Sequence, residues 1–333
     1  MILWIGFVLC TLVIVYSGTK LSKYGDIIAE KTGLSRTWIG LILIASVTSL
    51  PELVTGISSV TYTAAPDIAV GDVLGSCVFN MLILAILDAV YRPMPISAKA
   101  HEGHILSAGF GLLLITLVAM SLFISPTMDP IGWIGPYTLL IIVIYFIAMR
   151  TVFYYEKRKI AAFMKETAAM VPRYEEITTR TAAIHYGINA AAVITAAVFL
   201  PEIGKGLAET TGLGQTFVGN IFIALSTSLP EIVVSMAAVR IDAIDLAIGN
   251  LFGSNIFNIF ILAVDDVFLT KGPILSYADT SHIISALSAA AMTTIAIIGL
   301  TFRSTRKPFF IAWDSLGILL VYMINLMLLY ASI

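Results

Sequence analysis

The chain carries ten apolar runs of about 20 residues, the length at which a helix crosses the hydrocarbon core of a bilayer. They fall at 2–19, 37–61, 68–91, 105–125, 131–150, 182–203, 215–239, 243–268, 282–302 and 309–331. Lipid offers no water to backbone amides and carbonyls, so each run is expected to be helical. Hydrophobic residues make up 59% of the 333 residues and charged residues 12%, where ordinary soluble domains carry roughly 25% charged residues. Such a chain would expose too much apolar surface in water. The expected fold class is an all-α integral membrane protein with ten transmembrane helices.

Loop charges set the direction. Lys and Arg collect on the cytoplasmic side of a membrane protein. With both termini outside, 17 of the 19 Lys and Arg lie in inside loops, and only Lys205 and Lys271 lie outside. Localisation is therefore expected to be the cell membrane, multi-pass, with the polar loop around 151–181 in the cytoplasm. In that loop Ile160, Phe163, Met164 and Met170 stand at near-helical spacing beside Lys157, Arg158, Lys159 and Lys165. They read either as a surface helix or as a plain basic connector. The first run lacks a basic lead-in, so it is expected to be kept as a span. The net charge of −2 points to no nucleic-acid partner. Cys10 and Cys77 sit in apolar runs with no metal-ligand spacing. His101 and His104 offer a weak HxxH, better explained as interfacial residues.

The chain repeats itself. Thr32–Glu52 and Thr211–Glu231 agree at 13 of 21 positions, and both end in Thr-Ser-Leu-Pro-Glu. Gly71-Asp-Val-Leu-Gly-Ser-Cys-Val-Phe-Asn80 then pairs with Gly249-Asn-Leu-Phe-Gly-Ser-Asn-Ile-Phe-Asn258. Five spans per half is an odd number, so the second half enters from the opposite side. The expectation is two inverted five-helix repeats, 1–153 and 182–333, joined by a cytoplasmic connector over 154–181, an architecture suited to alternating access.

The repeated motifs carry the chemistry. Pro51 and Pro230 fall in mid-span, where a proline removes an amide donor and frees a carbonyl about one turn earlier. A Glu follows each. An ionisable residue inside a span is costly and normally functional. Thr48, Ser49, Thr227 and Ser228 add hydroxyls, although a Ser or Thr beside a proline also satisfies freed backbone. Ser76 and Asn80 share a helix face at i, i+4, as do Ser254 and Asn258. Interhelical hydrogen bonding is the rival role for these four. Together Glu52 and Glu231, two amides, hydroxyls and carbonyls form an all-oxygen set. That set suits hard cations such as calcium or sodium, where soft metals want Cys, Met or His.

At these residues the chain resembles the sodium/calcium exchanger branch of the cation/calcium antiporter superfamily, prokaryotic type. The resemblance covers nearly the whole chain. It implies a calcium site of Glu52 and Glu231 with oxygens of Thr48 and Thr227. It implies sodium sites that use the same Glu pair with Ser49, Ser76, Ser228, Ser254 and the carbonyls of Ala45 and Ala224, while Asn80 and Asn258 complete the centre. The transported ions would be calcium and sodium, with protons as the alternative driving ion and no cofactor. This sequence departs from the family at Val47 and Ser226, where a Gly is common. It also has Gly71-Asp72 for the usual Gly-Asn. Asn258 stands where potassium-dependent relatives carry Asp, which argues against potassium. Asp72 is placed on the outer approach. Asp88, Asp265 and Asp266 lie near span ends, where charges are cheap, and read as interfacial anchors.

Two other classes compete. A passive channel would bind a divalent ion too firmly at two carboxylates for easy exit. An intramembrane enzyme lacks any His-Glu-x-x-His or Gly-x-Ser-x-Gly motif. The charge asymmetry generates a first test. In a variant free of Cys10 and Cys77, a cysteine at position 165 is expected to react with an impermeant thiol reagent only when the cytoplasmic face is open. Labelling from outside intact cells would reverse the topology.

Overall fold

A computed structural model describes residues 2–31, 48–92, 94–164, 177–240, 242–307 and 310–332. Ala45, Val47 and the first half of the 37–61 run lie outside the described residues. The described elements are nearly all helical. The long ones are α1 (Ile2–Lys31), α2 (Leu50–Ser58), α3 (Pro66–Val90), α5 (His104–Ile124), α6 (Pro136–Met164) and α7 (Thr179–Thr211), with a single short turn, α4 (Ile96–Lys99), before α5. The second half continues with α8 (Gly214–Val218), α9 (Ala224–Thr227), α10 (Leu229–Arg240), α11 (Ile244–Phe268), α12 (His282–Phe302) and α13 (Trp313–Ala331). A π-helical turn, Ser59–Thr63, follows α2, and another, Gly219–Ile223, joins α8 to α9.

Among the described residues, eight helices are long and apolar enough to span a membrane. A ninth candidate is the α8–α10 run, bent by 44° at Ser228. Element ends follow local chemistry. Pro66 and Pro136 open α3 and α6, where a missing N–H costs nothing. Gly212 closes α7 in the left-handed region, at φ 75°. The helix α6 runs unbroken to Met164, so Ile160, Phe163 and Met164 belong to it and not to a separate surface helix. Nothing in 151–164 breaks the helix, since the stretch has neither Gly nor Pro. Met170 lies outside the described residues.

The centre is α3 packed on α11. Their most apolar stretches are 78% and 83% buried, against 17% for α1 and 22% for α7. Small residues let the backbones close up. A Cβ at Gly71 would come within 3.0 Å of the Gly219 and Asn220 backbone. Helices α1 and α7 pack on each other at the periphery and show apolar side chains outward, as Tyr16, Ile188 and Phe199 do.

Polar contacts at the helix ends come in matched pairs, several of them between the halves. Asp88 accepts from the backbone N–H of Ile96 at 2.8 Å and of Ala312 at 2.7 Å. Asp266, its repeat equivalent, accepts from Ile274 at 2.5 Å and Gly135 at 2.8 Å. His104 Nε2 lies 3.0 Å from Asp245, and His282 Nε2 lies 3.1 Å from Asp67. The equivalent residues Asp88 and Asp266, Ile96 and Ile274, His104 and His282, and Asp67 and Asp245 each stand 178 positions apart. Asp88 and Asp266 thus brace helix starts through backbone amides, and His104 is held by Asp245. His101 accepts from the Gly103 N–H at 3.0 Å. Asp265 departs from the expectation. It is fully buried and neither carboxylate oxygen has a hydrogen-bond partner.

Asp266 also takes hydroxyl hydrogens from Tyr137 and Thr138. Removing one partner of a buried charged network costs about 3–5 kcal/mol. Asp266→Ala is therefore expected to lower the melting temperature in detergent far more than Lys271→Ala, which alters an exposed loop. Equal melting curves would show that this carboxylate does not brace the helix ends.

Candidate cation site

The site is built where two helices break. Backbone angles leave the helical range at Ser49 (φ −88°, ψ 14°) and at Ser228 (φ −87°, ψ 2°). A proline two residues after each break cannot bond back, which is the local reason for the break. Each chain then restarts as a helix whose first turn holds a Glu, at Glu52 in α2 and Glu231 in α10. A carboxylate is favourable at that position, because the unpaired N–H groups of a helix start point at it.

Both carboxyls are sealed from solvent, at 0% and 1% exposure. Each is braced by the other half. The Ser49 hydroxyl donates to Glu231 Oε1 at 3.2 Å, and Thr48 bonds to the same carboxylate. The Ser228 hydroxyl lies 3.3 Å from Glu52 Oε1. Ser76 of α3 lies 3.4 Å from that oxygen and 2.9 Å from the Ser228 hydroxyl. Glu52, Glu231, Thr48, Ser49, Ser76 and Ser228 are thus brought together.

Asn80, Ser254 and Asn258 are buried as well. Glu52 Oε2, Glu231 Oε2, Asn80 Oδ1, Ser254 Oγ and Asn258 Oδ1 have no hydrogen-bond partner. Native interiors leave few such atoms, and each calls for an explanation. Among the described residues, the ion pairs fall elsewhere, on Asp67, Asp88, Glu102, Asp242 and Asp245. Two dry carboxylates with spare oxygens and no basic partner are chemically a receptor for cations. The Ala224 carbonyl takes part in the helix, accepting from Ser228 N at 3.0 Å. Ala45 lies outside the described residues.

Two residues sit closer to the site than their sequence suggested. Asp72 is not merely on an approach: its Oδ1 accepts from the Thr227 hydroxyl at 2.8 Å. Its substitution for the usual Asn was the available signal. Asn255 holds Asn80 in place, accepting from its amide at 2.9 Å. Only its position opposite Cys77 in the repeat marked it.

Fold and geometry together define a multi-pass membrane protein with two buried carboxylates, Glu52 and Glu231, set just after two helix breaks. The sequence profile of the sodium/calcium exchanger protein family matches residues 2–152 and 183–331. The sodium/calcium exchanger MaX1 of Methanosarcina acetivorans is 28% identical over 351 residues, covering 92% of this chain and 93% of that one. The solved sodium-calcium exchanger NCX_Mj is 21% identical, with a TM-score of 0.62 and 97% of each chain covered. The H+/Ca2+ exchanger CAX shares the fold at a TM-score of 0.68 with 13% identity, over 99% of this chain and 85% of that one. The chain belongs to the sodium/calcium exchanger family, whose members are membrane ion transporters.

The bracing is unequal, and that can be measured. Ser228 touches both Glu52 and Ser76, whereas the Ser49 hydroxyl donates to Glu231. A hydrogen bond to a charged group contributes about 1.5–3 kcal/mol. Ser228→Ala is expected to weaken calcium binding more than Ser49→Ala, read as the calcium-induced rise in melting temperature. The reverse order would separate Ser228 from the site.

Proposed function

We propose that the protein exchanges calcium for sodium across the cell membrane by alternating access. The observation that carries this is the carboxylate pair Glu52 and Glu231, fully buried, each braced by a serine of the opposite half, with no basic partner among the described residues. Calcium takes both Glu side chains with the Thr48 and Thr227 oxygens. Sodium takes the same carboxylates with Ser49, Ser76, Ser228 and Ser254 and the Ala45 and Ala224 carbonyls, beside Asn80 and Asn258. The assignment rests on donor chemistry: neutral hydroxyls suit sodium, which needs several oxygens, and are superfluous for a proton.

The same reading takes the chain as ten spans in two inverted fives, 1–153 and 182–333, around a cytoplasmic 154–181 connector, with both termini outside. Matched contacts between the halves, such as His104 to Asp245 and His282 to Asp67, support a two-fold relation. Alternation then needs no new site. The two halves rock about Glu52 and Glu231, opening first one end and then the other.

Charge dictates the coupling. With Asn80 and Asn258 neutral, two carboxylates match one calcium ion. Returning them bare through the bilayer is expensive, so they return carrying sodium. A proton could fill the same pair, which makes proton-driven calcium antiport the second reading. The test is calcium flux into proteoliposomes with the proton gradient collapsed by an ionophore. Flux that persists and follows the sodium gradient is expected. Flux that vanishes and ignores sodium would make the driving ion a proton. Glu52→Gln and Glu231→Gln are each expected to abolish the flux in protein that still purifies folded. Wild-type exchange in either variant would remove the site.

A further inference from the structure

The repeats are near copies, so the places where they differ are informative. On α2, Gly56 stands one turn beyond Glu52 and on the same face. On α10, Ser235 stands one turn beyond Glu231. Asn250 of α11 donates to Ser235 at 3.2 Å, and the third residue at that end by repeat position is Leu87. The arrangement is neutral. At the opposite end of the site the equivalents are Gly56, Asp72 and Asp265, and two of the three are acidic.

Asp265 occupies the space that Gly56 leaves. A Cβ at Gly56 would collide with both carboxylate oxygens and the carboxyl carbon of Asp265. Asp265 is 0% exposed, and Oδ1 and Oδ2 are both unpaired. Asp72 Oδ2 and Thr55 Oγ1 are buried and unpaired as well. The charged groups whose fields reach Asp265 are Asp72 on α3 and Asp266 on its own helix. Glu52 lies one turn away along α2. All are acidic, and among the described residues no Lys, Arg or His is paired with it.

An ionised carboxylate in dry surroundings needs donors or a counter-ion. Asp265 has neither. A metal ion would need about six oxygens around it, and the carboxylate is pressed against a backbone. A proton needs only one oxygen. Chains of buried acids in membrane transporters serve as proton sites. Three helices agree on the position. Asp265 lies seven residues past Asn258, Gly56 four past Glu52 and Asp72 eight before Asn80, all towards one end of the bundle. On the topology proposed above, that end is the outer one.

We propose that Asp265 is a second ion site of this protein. It takes a proton from the outer solution when the outer end of the bundle closes over it, and returns that proton to the same side when the end opens. The carboxylate gains H+ on one oxygen and becomes a neutral acid; reopening reverses the step. This rests on the exchanger reading for its alternation, but not on which ion drives calcium.

Two measurements test it. Infrared spectra of the purified protein are expected to show the C=O stretch of a protonated carboxyl, lost in Asp265→Asn and retained in Glu52→Gln. Calcium flux against pH is expected to fall on the alkaline side in the wild type, where Asp265 no longer loads. Asp265→Asn removes that alkaline limb and leaves the acid limb, set by proton competition at the Glu pair. Asp265→Glu keeps an alkaline limb, and Gly56→Ala alters it by displacing the carboxyl. An unchanged alkaline limb in Asp265→Asn, or an infrared band that survives it, would overturn the proposal. So would calcium or manganese binding that depends on Asp265, which would make it a metal site. If wild-type protein shows no calcium exchange at any pH, the exchanger reading fails, and the infrared band still decides whether Asp265 holds a proton.

Discussion

Every polar group in the interior of this molecule has to find a partner without water, and the chain finds many of those partners in its other half. Asp88 receives the Ala312 N–H from the start of α13, and Asp266 receives the Gly135 N–H beside the start of α6. Ser49 reaches Glu231, and Ser228 reaches Glu52. Each half meets its own carboxylates only in part, and the other half supplies the remaining donors. An unpaired buried charge costs several kcal/mol, so the halves are held in one register by groups that have nowhere else to go. The close packing of α3 on α11 follows from that requirement as much as from the apolar surface it buries.

The same constraint explains why the centre is responsive. At Glu52 and Glu231 the pairing is left incomplete, with one oxygen of each carboxylate unpaired, and the buried Ser254 hydroxyl and Asn258 amide are unpaired too. At the helix ends, by contrast, Asp88 and Asp266 are saturated with donors. Saturated acids hold the frame, and the unsaturated ones keep oxygens free. Breaks at Ser49 and Ser228 place the unsaturated acids at helix starts, where the backbone can pivot without losing a full ladder of hydrogen bonds.

Departures from the repeat matter as much as the repeat. A perfectly symmetric carrier would present the same chemistry to both sides of its site. Here one side meets Ser235 and Asn250, while the other meets Gly56, Asp72 and Asp265. Gly56 is the enabling residue, because the Asp265 carboxylate fills the volume that a side chain would occupy.

By itself the sequence determined the membrane character, the duplication and the identity of the central pair. A mid-span Pro-Glu in two copies leaves few other uses for a carboxylate in lipid. It marked Asp88, Asp265 and Asp266 alike as interfacial anchors by position. Only the tertiary structure decided which serine serves which glutamate, because Ser49 and Glu231 are 182 residues apart and meet across the interface of the halves. It moved Asp72 onto Thr227, and it separated Asp265 from its neighbour Asp266. Successive residues of a helix point about 100° apart. One acid therefore turned to the helix ends and their amides, and the next turned to a glycine in the interior. Sequence position alone cannot distinguish two adjacent aspartates; the packing around each one does.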